Sequence, residues 1–429
     1  ELRIVRSKRN QKLNVGEKNM RFEEWVKNNH IPFKLNHHDD NYDDFKPLSE
    51  LIGDTRVVAL GENSHFIKEF FLLRHNLLRF FIEELGFKTF AFEFGFAEGH
   101  IINNWLHGKG TDDDIGKYLT HFYYPEELKT TFLWLKEYNK VAQEKITFLG
   151  IDIPRNGGSY FPNIEILHDF FKTADKDALH IIDDALNIAK KIDYFSTSQA
   201  ALKLHELTDS ERTHLTCQIA RTKVRLEAMA PIHIEKYGIE KYETILHYIN
   251  GLIYLDYNVQ AMAGFISGAG MQGDMGAKDK YMADSVLWHL NNPQSEQKVI
   301  VVAHNAHIQK TPILYDGFLS CIPMGQRLKE AIGDDYMSLG ITSHIGHTAA
   351  LYPEADTKYG FRVDNYQLQE PNEGSVEKSI HDCGITNSFV SFKNMPEDVL
   401  SIPNMIRFDS MYMETKLEKA FDGIFQIEK

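Results

Sequence analysis

The chain is poor in cysteine, in long apolar runs and in positive charge. Its three cysteines, Cys217, Cys321 and Cys383, are far apart and form no Cys-x-x-Cys pair. That spacing argues against a disulfide framework or a thiolate metal site and points to reduced thiols in a cytoplasmic protein. No apolar stretch approaches the roughly 18–20 residues that a membrane-spanning helix needs. The formal net charge of −14 argues against nucleic acid or an anionic membrane as the main partner. There is no GxSxG nucleophile elbow and no HEXXH zinc pair. Internal repeats and low-complexity tracts are missing as well. Residues 1–19 are basic but lack the apolar centre of a secretory signal, so a disordered extension is expected ahead of Met20.

What remains is a chain of 429 residues, 43% of them hydrophobic, enough to bury a large core. Its organising stretch runs from Arg56 to Arg74. Val57-Val58-Ala59-Leu60 is a continuous apolar run, the pattern of a strand buried on both faces. Gly61 ends it, and Glu62, Asn63, Ser64 and His65 follow at once. Phe66, Phe70, Leu73 and Leu77 then fall on one face at helical spacing, predicting a helix from Phe66 to about Leu85. A carboxylate and an imidazole thus sit at a strand-to-helix turn, where open α/β sheets bind their ligands.

The same unit recurs along the chain. Lys88–Glu93 (KTFAFE) ends in Glu93, Lys145–Gly150 (KITFLG) runs out into Asp152, and Lys298–Ala303 (KVIVVA) delivers His304 and His307. Later strands are expected at Tyr336–Thr342 and Ser388–Phe392, with an irregular, loop-rich segment over 343–387. Strands alternating with helices predict an α/β fold with a central, mainly parallel sheet. From about 162 to 262 the pattern is helical, with segments at Ile164–Thr173, Ala178–Ile192, Ser210–Met229 and Lys241–Met262. The glycine-rich stretch 264–279 lacks the strand–GxGxxG–helix order and is better taken as a lid or active-site loop. The expected organisation is an α/β core made of residues 20–161 and 291–429, with 162–290 a helical subdomain covering the cleft.

Glu62, His65, Glu93, Asp152, His304 and His307 all stand at carboxyl ends of strands. Burying so many ionisable groups together is costly unless they serve one another or a ligand. Glu69 lies one turn beyond His65, and Arg74 further along could hold Glu62 or Glu93 ionised. With no nucleophile signature, the economical chemistry is attack by water, with a histidine as base, carboxylates to orient it and another imidazole to stabilise the oxyanion. Metal catalysis stays open, because Glu62/His65 and His304/His307 also have ligand spacing.

GENSHFIKEF, FAFEFG, LGIDIPRN, KDKYMAD and VVAHNAHIQKTP, in this order, resemble the erythromycin esterases, most closely their broad-range type. The similarity runs from about Met20 to the C-terminus. It implies hydrolysis of the macrolactone ester of erythromycin-like 14-membered rings and of the 15-membered azalide. The opened antibiotic no longer binds the ribosome, which makes the activity one of resistance. It also implies that His65 is the base activating water, and that Glu62, Arg74, Glu93, His304 and His307 occupy the other active-site positions. The expected catalytic set is His65, Glu62, Glu93, Arg74 and His304, with His307, Glu69, Tyr123 and Asp152 contacting substrate. No cofactor is assigned and metal dependence stays open; the partners are the macrolide and water, with neither nucleic acid nor membrane. The alternatives are a metal-dependent hydrolase of another ester or amide, and a macrolide- or porphyrin-binding protein without turnover. Phe122-Tyr123-Tyr124 would offer aromatic walls to a large, apolar, cationic ligand. One position departs from many relatives: Lys278-Asp279 stands where they carry Arg-Asp, keeping a charge but not a bidentate fork.

Overall fold

The buried apolar runs assemble into an eight-stranded sheet. Its strands are β1 (His30–Pro32), β2 (Val57–Leu60), β3 (Thr89–Gly95), β4 (Thr147–Asp152), β5 (Val299–Val302), β6 (Tyr336–Ser343), β7 (Ser388–Ser391) and β8 (Gly423–Ile427). The spatial order is β1-β7-β8-β6-β2-β5-β3-β4. Pairing is parallel from β8 through to β4, and β7 alone runs antiparallel to both of its neighbours. The computed structural model describes residues 20–35, 41–112, 126–269, 276–315, 318–354 and 356–428.

Alternate residues of the central strands enter two cores, as a period of two requires. Val57, Ala59, Ala91, Val299 and Val301 point to one side, where the helices Phe161–Ala174, Leu179–Ala189, Asp209–Ala228, Ile239–Ile266 and Gly276–Asn291 pack. Val58, Leu60, Phe90, Phe92, Ile300 and Val302 point to the other, against the helix Lys68–Glu83 and the apolar face of Glu126–Val141. The helical stretch therefore shares one continuous core with the sheet.

The expected strands are all present, with ends shifted by one or two residues. Three expectations need correction. The helix after β2 begins at Lys68, because Phe66 adopts φ 64° in the left-handed region and cannot be helical. The segment 343–387 is not simply irregular: it contains the hairpin His347–Pro353/Phe361–Gln367 and the short helix Val376–His381. The sheet also gains β1 and β8, short strands near the ends of the chain that directly follow the helices Phe22–Asn29 and Leu417–Ala420. Residues 1–19, the Phe122-Tyr123-Tyr124 segment and 270–275 of the glycine-rich stretch lie outside the described residues.

Candidate active site

The carboxyl ends of β2, β5 and β6 are tied together by Asn305. Its Nδ2 donates to Ile341 O (2.9 Å), its Oδ1 accepts from Ile341 N (3.1 Å), and its backbone N–H donates to Glu62 O (2.8 Å). Gly61 lets the two loops approach this closely, since a Cβ there would lie 1.9 Å from Asn305 Oδ1. The turn after β2 is thus fixed in place, and Glu62 and His65 with it.

Glu62 is buried and held from two sides. Arg74 Nη1 lies 2.8 Å from Glu62 Oε2, while Arg74 Nε and Nη2 donate to the carbonyls of Gly61 (2.9 Å) and Ala303 (2.8 Å) at the ends of β2 and β5. Burial works to raise the Glu62 pKa, but Arg74 and His65 outweigh it and hold the carboxylate below its usual range. Glu62 Oε1 lies 2.8 Å from His65 Nδ1. Burial lowers the basicity of His65, yet Glu62, with smaller help from Glu93 and Asp409, raises its pKa above the ordinary histidine value. With Nδ1–H donated to Glu62, Nε2 is left as the basic atom.

His304 is the opposite kind of imidazole. Its Nδ1 accepts the Ala306 N–H at 3.1 Å, so in the neutral ring the proton resides on Nε2. Burial first, then the neighbouring His65, drives its pKa down to about 3. The two rings meet edge to face with centroids 5.3 Å apart. An imidazole of raised basicity and a neutral N–H donor thus stand side by side.

Behind them runs a chain of alternating charge. Glu93 Oε2 accepts the His304 N–H (3.1 Å), and Glu93 Oε1 meets both Lys278 Nζ (2.9 Å) and His307 Nε2 (3.3 Å). Lys278 also reaches Asp152 Oδ2 at 3.1 Å, and His307 Nδ1 reaches Asp279 Oδ1 at 2.8 Å. Burial opposes the charge on His307, but the two flanking carboxylates raise its pKa to about 10. Lys278 and His307 in turn hold Glu93 well below the usual carboxylate range despite burial. His307 is an imidazolium that braces carboxylates and has no lone pair to act as a base.

Glu62, His65, Phe66, Glu93 and Lys278 line a cavity of about 340 Å³, whose walls include Phe71, Phe92, Leu351 and Phe361 and whose edge carries Asn156, Ser196 and Thr197. The wall at Ser196 and Thr197 comes from the helical stretch, and Leu351, Pro353 and Phe361 come from the hairpin. Six expected residues therefore converge: Glu62, His65, Arg74, Glu93, His304 and His307. Arg74 acts through Glu62, with its guanidinium occupied by Glu62 and two carbonyls. Asp152 is fully buried against Lys278 and does not line the cavity, and His304 and His307 also stand behind its lining. Glu69 lies in the first turn of the Lys68–Glu83 helix and likewise is not among the lining residues. Tyr123 lies outside the described residues. Lys278 fills its place with a single ammonium touching two carboxylates, so no guanidinium fork is needed there.

Sequence reasoning did not anticipate Asn305, Asp279 or Asp409 at the site. Asn305 and Asp279 adjoin residues that were singled out, and their motifs carried the signal. Asp409 comes from a distant hairpin, Met405–Phe408/Met411–Glu414, and its N–H donates to Asn63 O at 2.7 Å; no local pattern marks it.

Fold and site together define an α/β protein with a histidine–carboxylate centre at the carboxyl edge of its sheet. The erythromycin esterase family model matches residues 82–429, and the chain belongs to that family. It is 86% identical over 410 residues to erythromycin esterase type II of Escherichia coli, covering 96% of this chain and 98% of that one. Erythromycin esterase type I of Escherichia coli is 28% identical over 390 residues, covering 90% and 93%. Among solved structures, a mutant of the erythromycin esterase EreC in its open conformation superposes with a TM-score of 0.83 at 26% identity, covering 93% of this chain and 97% of that one.

Proposed function

We propose that the protein opens the macrolactone ester of erythromycin-like 14- and 15-membered macrolides by direct addition of water, and so confers resistance. The observation that carries this reading is a pair of unlike imidazoles: His65, which lines the cavity and is made basic by Glu62, and His304 beside it, kept neutral with its proton on Nε2. His65 Nε2 takes a proton from water, and the hydroxide adds to the lactone carbonyl. The oxyanion is met by the His304 Nε2–H, a donor that needs no protonation at neutral pH. Collapse expels the ring alkoxide, which takes its proton from the His65 imidazolium, leaving a linear hydroxy acid. Glu62 orients the ring and balances the imidazolium charge, and Arg74 orients Glu62. Glu93, held by Lys278 and His307, positions the His304 backbone.

The Ser64 hydroxyl is shared between the carbonyls of His65 (3.5 Å) and Ala349 (3.4 Å) and the Asp409 carboxylate, and it makes no hydrogen bond to the His65 or His304 imidazole that would serve a serine nucleophile. The apolar cavity walls suit a macrolide skeleton, and the acidic centre suits its protonated amino sugar. No described helix is long and apolar enough to cross a membrane, and the cysteine pattern supports a cytoplasmic place of action. The test is mass spectrometry of erythromycin incubated with wild type and with His65→Ala. A product one water heavier is expected from wild type only. Near-normal turnover by the variant, or a drug adduct on the quenched wild-type protein, overturns the mechanism.

A further inference from the structure

Away from the catalytic cavity, three potential ligands converge from separate parts of the fold. His344 follows β6, His381 ends the helix Val376–His381, and Glu428 follows β8. One ligand atom from each lies within 4.8 Å of the other two, and among the described residues this is the one such group of histidine, cysteine and acidic side chains. The two imidazoles lie almost parallel, 9° apart, with centroids 3.6 Å apart. His344 is only 2% exposed, yet neither of its ring nitrogens has a hydrogen-bond partner. A buried imidazole with two unused polar atoms is costly unless something else satisfies it.

We propose that His344, His381 and Glu428 form a three-ligand binding site for a divalent transition-metal ion of the zinc type, separate from the catalytic centre. Two imidazoles and a carboxylate are a zinc-compatible donor set, with water completing a tetrahedron. Bonds of about 2.0–2.2 Å put neighbouring donors about 3.4 Å apart, and an imidazole binds an ion in its own ring plane, so the stacked rings must turn out of parallel for both to face one ion. The other charged groups felt by His344 are Glu370, Asp382 and Arg407. Glu370 favours a cation, whereas Asp382 is paired with Lys378 at 2.6 Å, and Arg407, whose Nη2 donates to the carbonyls of His344 (3.0 Å) and Gln369 (2.7 Å), adds a positive charge nearby. Burial, with His381 next, lowers the His344 pKa to about 4, leaving its lone pair available at neutral pH. The ion would clip the end of β8 to the end of β6 and to the Val376–His381 helix. That helix also carries Glu377, which bonds Thr342, whose hydroxyl receives Asn63 Nδ2 at 3.2 Å. The clip thus secures an element that supports the loop bearing Glu62 and His65.

The experiment uses the full chain, stripped with a chelator and titrated with zinc chloride. Zinc per chain is measured after gel filtration, and the thermal midpoint is followed. One retained zinc per chain is expected, with a rise in the midpoint of about 3 °C at a hundredfold excess over Kd. His381→Gln and Glu428→Gln, at partly exposed positions, should lose both effects, while His65→Ala should keep both. No retained zinc, undiminished binding in the two site variants, or loss of binding in His65→Ala each overturns the proposal. The last result would place the ion at the catalytic histidines instead.

Discussion

Replacing Glu62 with glutamine removes one negative charge from the base and changes little else in shape. The carbonyl oxygen of the new amide can still accept the His65 Nδ1–H, so ring orientation is largely kept. The electrostatic support is lost. An imidazolium and a carboxylate with charge centres about 4 Å apart attract by roughly 4 kcal/mol at an effective dielectric of about 20. The His65 side chain is 40% exposed, so solvent screening reduces the usable part to about 1–3 kcal/mol. Because the imidazolium forms as water is deprotonated, that loss falls on the transition state and corresponds to about 10–10²-fold in kcat/KM on the high-pH plateau. The pH dependence moves too. His65 must be neutral to act, so activity falls as pH drops through its raised pKa. Without Glu62, burial prevails over the weaker pull of Glu93 and Asp409, and the acid limb shifts to lower pH. Initial rates of ring opening by wild type and Glu62→Gln between about pH 5 and 9 test both effects, with thermal midpoints to verify folding. An acid limb that stays where it is, together with a plateau within about twofold of wild type, would refute the role given to Glu62.

His304→Ala should lower kcat by about 10²–10³-fold with little change in KM, since it removes a donor needed chiefly by the oxyanion; equal losses in binding and turnover would point to a ground-state contact instead. Lys278→Met leaves Glu93 and Asp152 buried without their shared cation and should cost about 3–5 kcal/mol of stability, with Lys278→Arg closer to wild type. Glu93 is held below its usual pKa and gives up its stabilising contribution as pH falls through that lowered value. In Lys278→Met the loss begins at higher pH, so thermal midpoints of the variant should decline earlier on acidification; parallel profiles would show that Lys278 is not the cation holding Glu93.

The parts of this molecule legible in its sequence are those in which chemistry and local pattern coincide. A parallel strand buried on both faces is written as an unbroken apolar run, and a polar residue straight after it lies at the rim by geometry alone. Hence Glu62, Glu93 and His304 could be placed together before any tertiary contact was known. The order of the strands carries no such local mark: β5 lies between β2 and β3 although some two hundred residues separate it from either. Roles were harder to extract than positions. His304 and His307 belong to one strand-end motif and look alike in sequence, yet their pKa values are driven in opposite directions, to about 3 and about 10. The difference lies in what the fold brings to each ring: the Ala306 N–H and the edge of His65 at one, and Asp279 and Glu93 at the other. Asp279 arrives on the helix Gly276–Asn291, and Asp409 arrives from a hairpin near the C-terminus. An imidazole's role is therefore set by partners that are remote in sequence, so a motif can nominate histidines for catalysis, but only their hydrogen-bond partners separate the base from the oxyanion donor and both from the brace.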